Sequence, residues 1–293
     1  MKRQGKVTSY GFLNLDKPSG LTSSTLVNKC KWLSGVACGH MGTLDPLASG
    51  VLPVGVGNAT RLFDYFLEKD KEYIAEFTFG QYSDTLDSTV ETVQCGRIPA
   101  IDEIKDVLSS LCGEVMQIPP KYSAKNVNGR RGYDLARAGI EFELPAKKVR
   151  IEDIELLGDA ETENAFRFKI RCGGGTYIRS IARDMADMLG TKGVMSALRR
   201  TQSGCFTLEN AVAFSVLEQD PTIEELQNLI IPTESVLPFD RLLLEGKNKE
   251  KIFNGLAVET AQKDGLYKLY KDEAFYGIAE VTGGKAKAKT KLC

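Results

Sequence analysis

The sequence is poor in the residues that build metal centres. One histidine, His40, and one tryptophan occur in 293 residues, and the seven cysteines (Cys30, Cys38, Cys95, Cys112, Cys172, Cys205, Cys293) never fall at Cys-x-x-Cys spacing. Neither a zinc site nor a disulfide framework is therefore expected, and no metal is assigned. No apolar run approaches the roughly 20 residues that span a bilayer, and the basic start Met1-Lys-Arg lacks the apolar core of a signal peptide. The expectation is a cytoplasmic protein without a membrane partner. Gly173-Gly-Gly175 precedes a helical pattern and could hold a phosphate. Its spacing matches neither the Walker pattern nor Gly-x-Gly-x-x-Gly, so no nucleotide cofactor is expected.

What is present is a chain with 42% hydrophobic residues, enough for one large core or two smaller ones. The formal net charge of −1 hides an asymmetry. Residues 117–150 carry eight Lys or Arg (Lys121, Lys125, Arg130, Arg131, Arg137, Lys147, Lys148, Arg150) against three acids, whereas residues 209–245 carry eight acids against Arg241 alone. One surface for a polyanion and another that repels it would produce this pattern. Tyr122 and Tyr133 lie within the basic block, and aromatic rings among cations suit structured RNA. Solvated helix faces would explain the acidic block well and the basic one less well.

The most distinctive stretch is Gly39-His-Met-Gly-Thr-Leu-Asp-Pro46, which continues to Arg61. Pro46 disfavours helical backbone at Asp45, so that carboxylate is expected on an extended or turn segment. Residues 51–56 are almost all apolar and read as a short buried strand behind the loop. A carboxylate on a braced loop suits catalysis, although most Asp-Pro pairs merely shape turns.

Elsewhere, Thr22, Ser23 or Ser24 can cap a helix that carries Leu26, Val27, Cys30 and Leu33 and ends near Gly35. Residues 60–67 read as helical, and 71–80 as a strand with Tyr73, Ala75, Phe77 and Phe79 on one face. Residues 102–111 suit a short amphipathic helix. Residues 166–172 alternate as a strand leading to a helix over about 178–189, closed by Gly190. Beyond about residue 242, Lys251-Ile-Phe-Asn-Gly-Leu256 and Phe275-Tyr-Gly-Ile-Ala-Glu-Val281 read as short strands before a lysine-rich tail.

Together with Asn14-Leu-Asp-Lys-Pro-Ser-Gly-Leu-Thr22, Pro119-Pro-Lys-Tyr-Ser-Ala124, Gly175-Thr-Tyr-Ile-Arg179 and Leu198-Arg-Arg-Thr-Gln-Ser-Gly204, the Asp45 motif closely resembles the TruB family of tRNA pseudouridine synthases. The resemblance implies an α+β fold. Its mixed, mainly antiparallel central sheet with flanking helices (the pseudouridine synthase fold) would occupy 1–235, with an RNA-clamping insertion at about 117–150. A small β-rich PUA-like RNA-binding domain would follow at 236–293.

It also implies Asp45 as nucleophile, Tyr73 stacked on the target base and active in proton transfer, and Arg179 as the ion-pair partner that aims Asp45. His40 would fill the space of the flipped base or stack on a neighbour, and Leu198 would wall the base. Lys17, Arg61 and Tyr177 would meet substrate, with Lys17 and Arg61 at phosphates or supporting the site. The clamp would use Lys121, Tyr122, Lys125, Arg130, Arg131 and Arg137. Two positions depart from the family pattern: Asn126 stands where a lysine is expected, with Lys125 one place earlier, and Arg61 replaces a more usual lysine.

Pseudouridine and uridine are isomers, so the implied reaction needs neither redox cofactor nor energy source. The implied substrate is a T-loop uridine, the partner is the tRNA T arm, and the chain would act as a monomer. Two alternatives stay open: a non-catalytic RNA-binding or tRNA-folding protein, and a hydrolase using Cys38 with His40.

Overall fold

The computed structural model describes residues 5–123, 125–127, 129–244 and 246–292, and its centre is one sheet of eleven strands. The main path runs Val212–Ala213, Gly11–Lys17, Ser49–Val56, Gly193–Ser203, Lys71–Phe79, Ala165–Cys172, Lys147–Asp159 and Gly113–Gln117. Two joints on this path are parallel, Gly11–Lys17 with Val212–Ala213 and Ser49–Val56 with Gly193–Ser203. The others are antiparallel. With its flanking helices and separate C-terminal sheet, this is the mixed, mainly antiparallel α+β architecture expected.

Strand alternation sorts the side chains into two layers. Tyr73, Ala75, Phe77 and Phe79 face inward beside Phe166, Phe168, Ile170 and Cys172 of the neighbouring strand. On the opposite face Arg167 pairs with Glu76 at 3.2 Å and Lys169 with Glu72 at 3.2 Å. Helix Ser23–Ser34 lays Leu26 and Cys30 on the inner layer, and helix Ile178–Met188 adds Ile181, Ala182 and Met185. Truncating one of these rings, Phe77→Ala for example, costs about 3–5 kcal/mol through reduced burial and the cavity left behind.

The helix ends follow their local chemistry. The Thr22 hydroxyl accepts from Thr25 N at 3.1 Å, and Gly35 closes that helix at φ +71°. Residues 57–62 form a 3₁₀ turn before the α-helix Phe63–Leu67, so the expected 60–67 helix is split. Helix Ile101–Leu108 likewise ends in a 3₁₀ turn over Ser109–Leu111.

Antiparallel pairing of Lys147 with Gln117 closes the base of the basic 117–150 segment. Inside it, Asn126–Val127 pairs with Arg130–Arg131, followed by the short helix Gly132–Arg137. The C-terminal sheet runs Val258–Glu259, Lys285–Lys291, Ala274–Thr282, Gly265–Lys271. Two expectations are corrected here. Lys247–Phe253 is a helix, not a strand, with Ile252 buried beneath it. The lysine-rich tail is a strand whose lysines face out and whose Ala286 faces in. This sheet docks on the main body through Leu237, Ile278 and Leu292, which share a buried cluster with Phe12, Phe66 and Phe206.

Candidate active site

The Asp45 loop hangs between the start of the Ser49–Val56 strand and the 17–23 segment, and its backbone is fastened on both sides. Ser23 Oγ donates to Leu44 O at 2.8 Å and accepts from Leu44 N at 2.9 Å. Ser19 Oγ donates to Leu47 O at 2.7 Å, and Gly20 N donates to Pro46 O at 2.8 Å. Lys17 is fully buried, and its Nζ donates to Pro18 O at 2.9 Å, Pro46 O at 3.3 Å and Ala48 O at 2.5 Å. Every donor of this ammonium serves a carbonyl. Lys17 therefore supports the loop and presents no charge to a phosphate at the surface.

A second buried cation works from the sheet. Arg200 is 1% exposed; its Nε donates to Val51 O at 2.7 Å and its Nη2 to Gly42 O at 3.0 Å. The parallel joint that sets Arg200 beside Gly50 brings the backbones so close that a Cβ on Gly50 would lie 2.2 Å from Arg200 O. Gly50 also holds φ +99°, and Gly42, above the guanidinium, holds φ +141°. Both positions need glycine for backbone conformation, and Gly50 needs it for close approach as well.

With its backbone held in this way, Asp45 turns its carboxylate to Arg179. The Nη2–Oδ2 distance is 2.9 Å, with the Arg179 side chain 7% exposed and that of Asp45 35% exposed. The same guanidinium donates to Thr85 O at 3.0 Å and Tyr122 O at 3.1 Å, and Asp87 Oδ2 lies 3.6 Å from Nη1. Asp87 is itself buried and accepts from Thr85 Oγ1 at 2.8 Å and Thr89 N at 3.1 Å. Arg179 is thus fixed from four directions and aims one oxygen of Asp45.

Tyr73 lies across the strands from Arg200 and is 6% exposed. Burial pushes its phenol up to about 12, with Arg200 pulling the other way and Asp45 adding to the rise. Burial, with Arg200 adding, also brings the Lys17 ammonium down to about 8, while Asp45 opposes the fall. The Tyr177 phenol is raised by burial and feels both Arg179 and Asp45. Asp45, Arg179, Tyr73, Tyr177 and Lys17 therefore share one electrostatic neighbourhood, and Leu198 joins Tyr73 and Leu44 in the adjoining core.

Tyr177 is set in place through its backbone, which exchanges bonds of 2.8 and 3.1 Å with the buried Gln117 amide. His40 is half-buried, and Thr43 Oγ1 lies 3.4 Å from its Nε2. Burial, then Arg200, lowers its pKa and so favours the neutral ring. Arg61 is exposed and donates to Lys291 O at 2.8 Å, which ties the site's flank to the C-terminal sheet.

The expected clamp residues lie outside this centre. Lys121, Arg130 and Arg137 are exposed, and Lys125 and Tyr122 are half-buried. Tyr122 and Tyr133 meet edge to face with centroids 6.2 Å apart, and the Arg137 guanidinium covers Tyr133 at 4.6 Å. Arg131 lies on the short strand beside Arg130, and its side chain falls outside the described residues. Of the segment, only the Tyr122 carbonyl meets the Arg179 guanidinium directly among the described contacts.

Cys38 and His40 share the strand Cys38–His40. Burial raises the Cys38 thiol, outweighing the opposing pull of Ser34, whose Oγ lies 3.4 Å from its sulfur, so a thiolate nucleophile is disfavoured. Among the described residues, no group of three His, Cys, Asp or Glu side chains could hold a metal ion. None of their helices is long and apolar enough to cross a membrane.

Sequence reasoning missed Arg200, Asp87, Gln117 and Ser23. Arg200 had a signal, because it stands two residues from Leu198 on one strand and so shares its inward face.

The model of the TruB family pseudouridylate synthase N-terminal domain matches residues 31–178, and that of the tRNA pseudouridylate synthase B C-terminal domain matches 179–238. The chain belongs to the TruB family. Among curated TruB relatives, tRNA pseudouridine synthase B of Caldanaerobacter subterraneus subsp. tengcongensis is 37% identical, over 95% of this chain and 98% of that protein. The Bacillus subtilis tRNA pseudouridine synthase B is 40% identical, over 86% of this chain and 84% of that protein. Among solved structures, a crystal structure of a Cbf5–Nop10–Gar1 complex matches with TM-score 0.69 and 25% identity, covering 97% of this chain and 85% of that chain.

Proposed function

We propose that this chain isomerises a T-loop uridine of tRNA to pseudouridine, with Asp45 as the nucleophile. The single observation that carries the proposal is the Asp45–Arg179 pair at 2.9 Å, a part-exposed carboxylate aimed by a buried guanidinium on the motif shared with the TruB family. The curated relatives' names, tRNA pseudouridine synthase B, support the same activity and an RNA substrate.

The reaction breaks the bond from uracil N1 to C1′ of the ribose, turns the base, and joins C5 to C1′; C5 loses its proton and the released N1 gains one, so the product is an isomer. The base must first leave its stack, at a cost of a few kcal/mol. Arg179 engages Oδ2 of Asp45, and we assign Oδ1 to the reacting carbon. The Tyr73 phenol stays protonated far above neutral pH, so it acts as a neutral ring and hydrogen-bond donor over the base. His40 occupies the gap the base leaves, Leu198 and Tyr177 bound the cleft, and Lys17 holds the loop. Arg61, Lys121, Tyr122, Lys125, Arg130, Arg131 and Arg137 meet the T arm, and one chain acts alone. Residues 1–235 form the catalytic unit and 236–293 the RNA-binding one.

The test is Asp45→Asn with unmodified tRNA. Isomerisation is lost while tRNA still binds. Full isomerisation by the variant would overturn the assignment of Asp45 as the nucleophile.

A further inference from the structure

Helix Phe63–Leu67 carries more aromatic surface than its packing uses. Phe66 and the preceding Leu62 point inward and are buried in the cluster with Phe12 and Phe206, and Tyr65 packs edge-on against Phe66 and Phe239. These residues hold the helix down. Phe63 is outside that cluster and 37% exposed. A single exposed phenylalanine is ordinary, but the position of this one is not.

The Phe63 ring stands edge-on to His40, with centroids 6.5 Å apart and planes at 63°. His40 belongs to the strand that leads into the Asp45 loop, and the 57–62 turn lies against that strand at Gly39, beside Thr60. His40 itself is loosely held: Nε2 has the 3.4 Å contact with Thr43, and among the described residues buried Nδ1 has no hydrogen-bond partner. If His40 swings toward the RNA, more of the Phe63 ring is uncovered beside the site.

The surroundings suit a nucleotide. Arg61, two residues before, is exposed and reaches Lys291 on the exposed lysine row of the Lys285–Lys291 strand. Cations for phosphates thus flank a free ring for a base. Leu67, four residues on, is exposed on the same helix face and lengthens the apolar strip. Exposed Asp64 is the one acid on the helix and, as the next residue, faces a different direction.

We propose that Phe63 is a nucleobase-stacking position. Its exposed ring, beside His40 and flanked by Arg61, receives an unpaired base of the substrate RNA next to the isomerised uridine. The occupant is a base and not an apolar protein segment, because the apolar strip is one helix turn long and bordered by cations. The inference rests on the assignment of Asp45 and His40 to the reacting uridine.

The experiment compares Phe63→Ala, Phe63→Trp and Arg61→Ala in the full chain, each also combined with Asp45→Asn for equilibrium binding of unmodified tRNA. Phe63→Ala weakens binding by about five- to a hundredfold, the range for removing one aromatic stacking partner. The slope of log affinity against log salt stays unchanged, because the same phosphates remain neutralised. Phe63→Trp restores affinity, and 2-aminopurine placed beside the target uridine is quenched by the Phe63 form and less so by Phe63→Ala. Arg61→Ala instead flattens the salt slope.

Unchanged affinity and unchanged 2-aminopurine emission for Phe63→Ala would overturn the proposal, with thermal melting showing that the variant is folded. A weakening that Phe63→Trp fails to restore would overturn it too. Failure of the underlying assignment shows differently: Asp45→Asn would then isomerise tRNA as the unaltered chain does, whatever Phe63 contributes.

Discussion

The Asp45 loop and the 117–150 segment both depend on positive side chains, and they use them in opposite ways. Around Asp45 the cations are buried. Lys17 and Arg200 spend their donors on the carbonyls of residues 18, 42, 46, 48 and 51, and Arg179 divides its donors among two carboxylates and two carbonyls. In the 117–150 segment Lys121, Arg130 and Arg137 are exposed, and Arg137 covers a tyrosine ring. The first arrangement fixes geometry before substrate arrives, and the second leaves charge available for a polyanion. A buried cation here shapes backbone, whereas an exposed one stays available to a polyanion.

The contrast breaks most readily at Arg179. Arg179→Ala should lower the isomerisation rate by about 10²–10³-fold, the range for removing one preorganised electrostatic partner. Arg179→Lys should recover little, because an ammonium cannot serve Asp45, Asp87 and two carbonyls at once. Single-turnover release of tritium from C5-labelled uridine measures both.

Next in size is Arg200→Met. It should cost on the order of 3 kcal/mol of stability, because the carbonyls of Gly42 and Val51 are left buried without donors. Urea unfolding reads this directly, and activity should fall with the disordered loop. In the other region, Lys121→Ala with Arg130→Ala, both exposed, should leave urea stability within about 0.5 kcal/mol, as for surface changes generally. The pair should reduce the slope of log affinity against log salt by about 2, one for each phosphate left without its cation.

The smallest effect is a pH dependence to which the buried cations contribute. Lys17 and Lys71 are both brought down to about 8 in the fold by burial, against an ordinary value near 10.5. Between about pH 8 and 10.5 the unfolded chain holds more protons than the folded one, so their contribution to stability rises with pH in that window. Tyr73, pushed up to about 12, contributes the reverse between about pH 10 and 12. Lys17→Met should flatten the rise, as measured by urea unfolding at pH 8, 9 and 10. A parallel curve for the variant would mean that Lys17 is not desolvated.

Much of this was legible in the chain. Pro46 put Asp45 off-helix, alternation put Tyr73 on the inner row, and the helix from Ile178 placed Arg179 one residue inside it. What stayed hidden depended on long-range pairing. The offset from Leu198 could turn Arg200 inward, but the carbonyls it serves are known only once the parallel joint beside Gly50 is, and Asp87 reads as turn chemistry within Ser83-Asp-Thr-Leu-Asp87. Gln117 gains its role only when the base of the basic segment closes on Tyr177. The tail misled because lysine dominates its composition, while the Lys-Ala alternation that makes Lys285–Lys291 a strand needs a neighbouring sheet to bury Ala286. Lys247–Phe253 misled through its apolar pair, although Lys247, Glu250 and Lys251 are good helix formers.

The most direct test is to incubate the full chain with unmodified tRNA and map pseudouridine along the product. One new pseudouridine, in the T loop, made without added metal or nucleotide, is the predicted result. An unaltered T loop after exhaustive incubation would contradict it.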